Sequence, residues 1–108
     1  MKWKRVSDRE QYDTWLQDNM VCPYDWLVDI FGTPGEGDCY KVDAMWIIQF
    51  EDSTIATIYN WKNGRNYNGP EAKPVEKITD WNIGGSSEHA AKLIAAVIND
   101  NKDRYISS

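Results

Sequence analysis

The sequence predicts an α+β fold: an antiparallel sheet of at least three strands around a central hairpin, packed by a C-terminal helix and short N-terminal helices. Three observations carry this expectation. Residues 40–50 and 54–61 are rich in aromatic and β-branched side chains and flank the polar turn Glu51-Asp52-Ser53, which is the pattern of a β-hairpin. Residues 78–83 alternate Thr79, Trp81 and Ile83 against Ile78, Asp80 and Asn82, as a strand does. Residues 87–99 place Ala90, Leu93, Ile94, Val97 and Ile98 on one wide apolar helical face.

In chain order, Ser7-Asp8-Arg9-Glu10 fits a capping box, and Tyr12, Trp15, Leu16 and Met20 follow at helical spacing, so a short helix is expected over about 8–18. Residues 23–31 suit one face of a helix through Trp26, Leu27, Ile30 and Phe31 and equally a strand through Trp26, Val28 and Ile30, and Gly32 and Pro34 as a stop favour the helix. Residues 32–39 then read as a glycine- and proline-rich loop. A two-residue Asp52-Ser53 turn would pair Phe50 with Ile55, Ile48 with Thr57, Trp46 with Tyr59 and Ala44 with Trp61. That register puts the aromatic residues on one face, with Met45, Ile47, Ala56 and Ile58 on the other, and both faces need cover. Residues 62–76, with two Asn/Gly turns and two prolines, read as a long mobile connection. Gly84-Gly85-Ser86-Ser87 leads from the third strand into the last helix, and the polar tail frays after about residue 100. The whole chain, 1–108, is expected to form one domain.

The balance of charge narrows the classes of partner. Seventeen acidic against twelve basic residues give a net charge of −5, which disfavours broad attraction to nucleic acid or an anionic membrane. Cys22 and Cys39 form neither a disulfide scaffold nor a Cys-x-x-Cys motif, so reduced thiols are expected. The first residues lack an apolar signal core, and no stretch approaches the ~20 apolar residues of a membrane span. A soluble, non-exported protein is the expectation. Six Trp, six Tyr and two Phe are the compositional outlier, and they suit a core, a stacking pocket or an interface.

Three groups of residues carry chemistry. Trp46, Tyr59 and Trp61 of the hairpin and Trp81 of the neighbouring strand form a candidate stacking surface for a nucleobase, with Lys41, Lys62 and Arg65 near the same end for phosphates. The same rings also serve as core or as a homodimer interface. Gly84, Gly85, Ser86 and Ser87 place backbone amides and hydroxyls at a helix start, where an anion is favoured, although the spacing matches neither a Walker loop nor a dinucleotide fingerprint and plain capping explains it too. His89, one turn into that helix, is a ligand-contacting or surface histidine rather than a catalytic one, because no nucleophile elbow or orienting third residue accompanies it. Asp25, Asp29, Glu36, Asp38 and Asp43 gather acidic charge without calcium-loop spacing, so they suit a solvated face or a phosphate-mimicking surface better than a metal site.

Phe31-Gly32-Thr33-Pro34 leading to Asp38-Cys39-Tyr40-Lys41-Val42-Asp43, then Trp46 through Lys62 ending in Ala56-Thr57-Ile58-Tyr59-Asn60-Trp61-Lys62, and then Trp81-Asn82-Ile83-Gly84-Gly85 before an alanine-rich helix together resemble a recurring group of small bacteriophage accessory proteins. The resemblance spans about residues 25–98 and implies action in the cytoplasm of an infected bacterium, with anti-defence activity as its functional expectation. It implies no catalytic residue. The resulting expectation is a non-enzymatic protein, without cofactor or metal, that sequesters a phosphorylated nucleotide immune signal through Trp46, Tyr59, Trp61, Lys62, Arg65, Trp81, Gly84, Gly85, Ser86, Ser87 and His89. The alternative is an anti-CRISPR-like inhibitor that binds a host or defence protein through an acidic and aromatic surface.

Overall fold

The computed structural model describes residues 2–6, 14–35, 42–61 and 63–102. Five antiparallel strands form one sheet in the order β1-β3-β4-β5-β2: β1 is Trp3–Arg5, β2 Trp15–Val21, β3 Met45–Phe50, β4 Ile55–Tyr59 and β5 Asp80–Gly85. The β3–β4 hairpin is therefore central, and the two N-terminal strands occupy opposite edges. Helix α1, Tyr24–Phe31, and helix α3, Glu88–Asn101, pack on one face, while α2, Arg65–Asn68, and a 3₁₀ turn at Val75–Lys77 lie in the connection before β5. This is the expected α+β architecture.

The hairpin register differs by one residue from the sequence expectation. Trp46 pairs with Ile58, Ile47 with Thr57 and Ile48 with Ala56. The cause is the turn: Ser53 adopts φ 73°, the Ser53 amide donates to Phe50 O, and the Phe50 amide donates to Thr54 O, so the loop holds three residues rather than two. A one-residue slip turns every β4 side chain to the opposite face. Trp46, Ile48 and Phe50 now share a face with Ala56, Ile58, Trp81 and Ile83, all buried under α1 and α3. Met45, Ile47 and Gln49 share the other with Ile55, Thr57 and Tyr59.

The expected helix over 8–18 is corrected where it falls on described residues, because Trp15–Val21 is a strand paired with β5. Residues 7–13, including the capping box, lie outside the described residues. The misleading spacing has a physical origin: a bulge at Gln17 sets Asp18 opposite Ile83 directly after Leu16 opposite Gly84. The bulge breaks the period of two, so Trp15 shares a face with Asp18 and Met20 while Leu16 and Asn19 share the other, and the strict alternation that marks a strand is lost. The helix over 23–31 forms as expected, closed by Gly32 at φ 91°. Arg5 Nη1 donates to Phe31 O, the last carbonyl of the helix, and to Thr33 O just beyond it at 2.9 Å each, binding β1 to the C-terminus of α1.

The connection over 63–76 is more ordered than a long loop. Asn60 is fully buried, its Oδ1 accepting from the Asp43 and Ala44 amides at 2.7 and 3.0 Å and its Nδ2 donating to Asp43 Oδ1 and Asn63 Oδ1. Asp43 Oδ2 in turn accepts from the Asn66 amide, so one asparagine and one aspartate fasten the start of α2 to the entry of β3. Among the described residues, no helix is long and apolar enough to cross a membrane.

Candidate functional site

The four rings expected to form one stacking surface are divided between the two faces of the sheet. Trp46 and Trp81 are sealed in the core, 5.4 Å apart and edge to face, and their indole N–H groups donate to Gly32 O and Cys22 O. Tyr59 and Trp61 lie on the other side, their rings 6.4 Å apart and near perpendicular. The hairpin register is the reason, since moving β4 by one residue separates Tyr59 from Trp46. The stripe of Trp46, Tyr59, Trp61 and Trp81 is thereby corrected to two pairs, one of them core.

Gly84 and Gly85 are not a turn but the last two residues of β5, pairing with Thr57 and Ala56 on one side and with Leu16 and Trp15 on the other. Their glycine identity follows from packing. A Cβ on Gly84 would lie 2.4 Å from Thr57 Oγ1, and one on Gly85 would lie 2.4 Å from Ala90 Cβ, where α3 crosses the sheet. Gly85→Ala is therefore expected to destabilise the fold by about 1–3 kcal/mol through overpacking. Adding Ala90→Gly should recover part of that loss in urea unfolding; equal stability of wild type and Gly85→Ala would refute the packing role.

Ser86 and Ser87 are exposed, and Ser87 is the N-cap residue of α3 without a side-chain capping bond. His89 is exposed one turn on, where its Nε2 sits 3.1 Å from Asp52 Oδ2 at the hairpin tip. Hydrogen bonds from Thr54, followed by His89, hold the Asp52 carboxyl down to about 2. A carboxyl depressed in the folded state adds stability above its ordinary value of 3.8, and that stability is lost as the pH falls toward about 2. Asp52→Asn should flatten the decline in urea midpoint across this window; an unchanged slope would show that the tip contact is not formed in solution.

Lys62 and Lys41 lie outside the described residues, as do Glu36, Asp38 and Cys39. Arg65 begins α2, is exposed, and donates through Nε to Ala72 O at 3.0 Å. Of the acidic set, Asp43 is committed to the Asn60 network, whereas Asp25 and Asp29 are exposed on α1. No group of His, Cys, Asp and Glu among the described residues is arranged to hold a metal ion. Burial pushes the Cys22 thiol up to about 11, which makes it an unreactive core residue.

What the fold does assemble is a surface on the sheet face turned away from α1 and α3. Strand register sets Tyr59 beside Asn82 and Asn82 beside Asn19. The Asn82 side chain hydrogen bonds the Tyr59 hydroxyl and accepts from Asn19 Nδ2, making a polar ladder across three strands. Burial raises the Tyr59 phenol above its ordinary value, and the Asn82 contact opposes that shift. Trp61 stands beside Tyr59 with 45 % of its surface exposed, and Val21 and Leu16 of β2 share this face at 79 % and 52 %. The acidic side chain of Asp80, opposite Val21, is exposed on this face. Leu16, Asn19, Val21 and Asn82 were not candidates from sequence, since the helical reading of residues 8–18 hid the strand that presents three of them. Compared with known protein families and with curated proteins, the chain matches none.

Proposed function

We propose that this protein is a small accessory inhibitor of bacteriophage type, which acts in the bacterial cytoplasm by binding a host or defence protein and carries out no chemistry of its own. The observation that carries the reading is the exposure of Trp61, Val21 and Leu16 around the Tyr59–Asn82–Asn19 ladder. An exposed tryptophan beside a half-buried tyrosine and hydrogen-bonding side chains has the composition of a protein-binding hot spot, where a few aromatic anchors contribute most of the affinity. Large apolar side chains left in water on a small domain are otherwise a solubility liability. The acidic balance of the chain favours a basic partner surface and rapid encounter with it.

Nucleotide sequestration retains less support. Two of its stacking rings are core residues, and Gly84 and Gly85 belong to a paired strand. The two readings separate in one experiment. The purified protein is incubated with a panel of cyclic and linear nucleotides, washed, heat-denatured and filtered, and the filtrate is analysed by mass spectrometry. In parallel, wild type and Trp61→Ala/Val21→Asp are compared for capture of a bacterial protein, which is then purified and titrated. A blank filtrate with at least a ten-fold weaker titration for the variant is expected. Stoichiometric nucleotide release, or a partner indifferent to the double variant, overturns the proposal.

A further inference from the structure

The outer edge of β2 has the makings of a strand-acceptor site. β5 pairs one side of β2, and among the described residues no strand pairs the other. The Cys22 amide donates to Thr79 O on the β5 side, so by the alternation of an antiparallel ladder the backbone groups of Val21 and Asn19 point outward. The Asn19 amide bears this out, for it is met at 2.8 Å by the carboxylate of its own neighbour, Asp18, in place of a strand. Beside the same edge, on the helix side, runs a groove of about 220 Å³ whose apolar wall includes Met20, Trp26, Ala91, Ala95 and Ile98 and whose polar lining includes Asp18. Ala91 and Ala95 are the α3 residues on this groove, and their short side chains leave it unfilled. Backbone donors and acceptors along a strand, with an apolar slot alongside, are the two requirements for an extended peptide that bonds through its main chain and is selected through alternate side chains.

Charge identifies the occupant. Asp18 is the middle residue of Trp15–Val21, so full antiparallel pairing with a second copy of this chain would set Asp18 directly opposite Asp18 of that copy, which is unfavourable. A foreign strand with a lysine or arginine at that position is favoured instead. Lys102, directly after the last residue of α3, is the one basic residue among those lining the groove.

We infer that β2 accepts an extended segment of the partner protein as a sixth strand, with apolar side chains entering the β2–α3 groove and a basic side chain opposite Asp18. This rests on the protein-binding reading above and names the form of the partner. It explains why an edge strand of seven residues keeps Trp15, Leu16 and Val21 exposed, where short or heavily charged edges are the usual protection.

The test uses a fluorescein-labelled eight-residue peptide alternating valine and threonine around one lysine, a counterpart with glutamate in place of lysine, and fluorescence anisotropy. Saturable binding of the lysine peptide is expected, at least ten-fold tighter than the glutamate peptide. Val21→Pro removes an outward amide while sparing the β5 ladder, and it should weaken binding at least ten-fold with the thermal midpoint retained. Asp18→Lys should reverse the charge preference, which a merely damaged fold would not do. Absence of saturable binding to wild type, indifference to peptide charge, or binding unaffected by Val21→Pro overturns the inference. So does a wild-type dimer in light scattering that Val21→Pro dissociates, since a second copy would then be the occupant. If the peptides fail while the Trp61-dependent partner is still captured, only the strand-acceptor inference falls.

Discussion

Trp81→Ala is expected to remove about 3–5 kcal/mol of stability, the cost of truncating a buried tryptophan. Small domains hold only about 5–15 kcal/mol in total, so the variant should be extensively unfolded at moderate urea concentrations. The effect is large because one side chain joins several elements. Trp81 stands on β5, contacts Trp46 of β3 edge to face and Tyr24 of α1 nearly in parallel, and donates to Cys22 O at the end of β2. Trp81→Phe keeps much of the ring and loses the donor, for a cost of about 1–3 kcal/mol. Urea titration followed by circular dichroism measures both. A loss below about 1 kcal/mol for Trp81→Ala would mean that the indole is not core and would return it to the list of ligand-facing rings.

Asn60→Ala should be nearly as damaging although it deletes only a small polar group. The substitution leaves the Asp43 and Ala44 amides without their acceptor and deprives Asp43 Oδ1 of a donor. Unpaired buried groups cost about 1–3 kcal/mol each, so a combined loss of about 2–5 kcal/mol is expected, with a fall in melting temperature of roughly 10 °C or more. Amide exchange adds a local readout: the Asp43 and Ala44 protons should be protected in wild type and exposed in the variant. Asn63→Ala, which removes one acceptor from the same network, should cost about 1 kcal/mol. Equal effects of the two substitutions would remove the special role assigned to Asn60.

The strands of the hairpin and the last helix were legible because each has a long run with one clear period, whereas the helix over 23–31 fits both periods and was decided by the stop at Gly32 and Pro34. Register was not. A two-residue turn and a three-residue turn fit Glu51-Asp52-Ser53 equally well, and only the positive φ of Ser53 decides between them. A glycine or asparagine there would have signalled it. That single residue also decides where the aromatic side chains go, so the error in the site descends directly from the error in the turn. Gly84-Gly85 carried a similar ambiguity, because glycine marks equally a flexible turn, an anion cradle and a crowded crossing. Here Thr57 and Ala90 make it the last of these. The role of Asn60 left no sequence signal, since a buried asparagine resembles any other asparagine at a strand end until its neighbours are known.

The sheet order also governs the timing of assembly. Asn19 and Asn82 are bonded neighbours separated by 63 positions, so at about 5–20 residues per second a ribosome makes β2 roughly 3–13 s before the strand that receives it. β3 and β4 close through a local turn in the meantime, and β5 must be synthesised before β2 has a template. Throughout that interval Trp15, Leu16 and Val21 belong to an unzipped ribbon on a nascent polypeptide. Yield in cells should accordingly depend on chaperone supply and translation speed more steeply than on the stability of the finished fold.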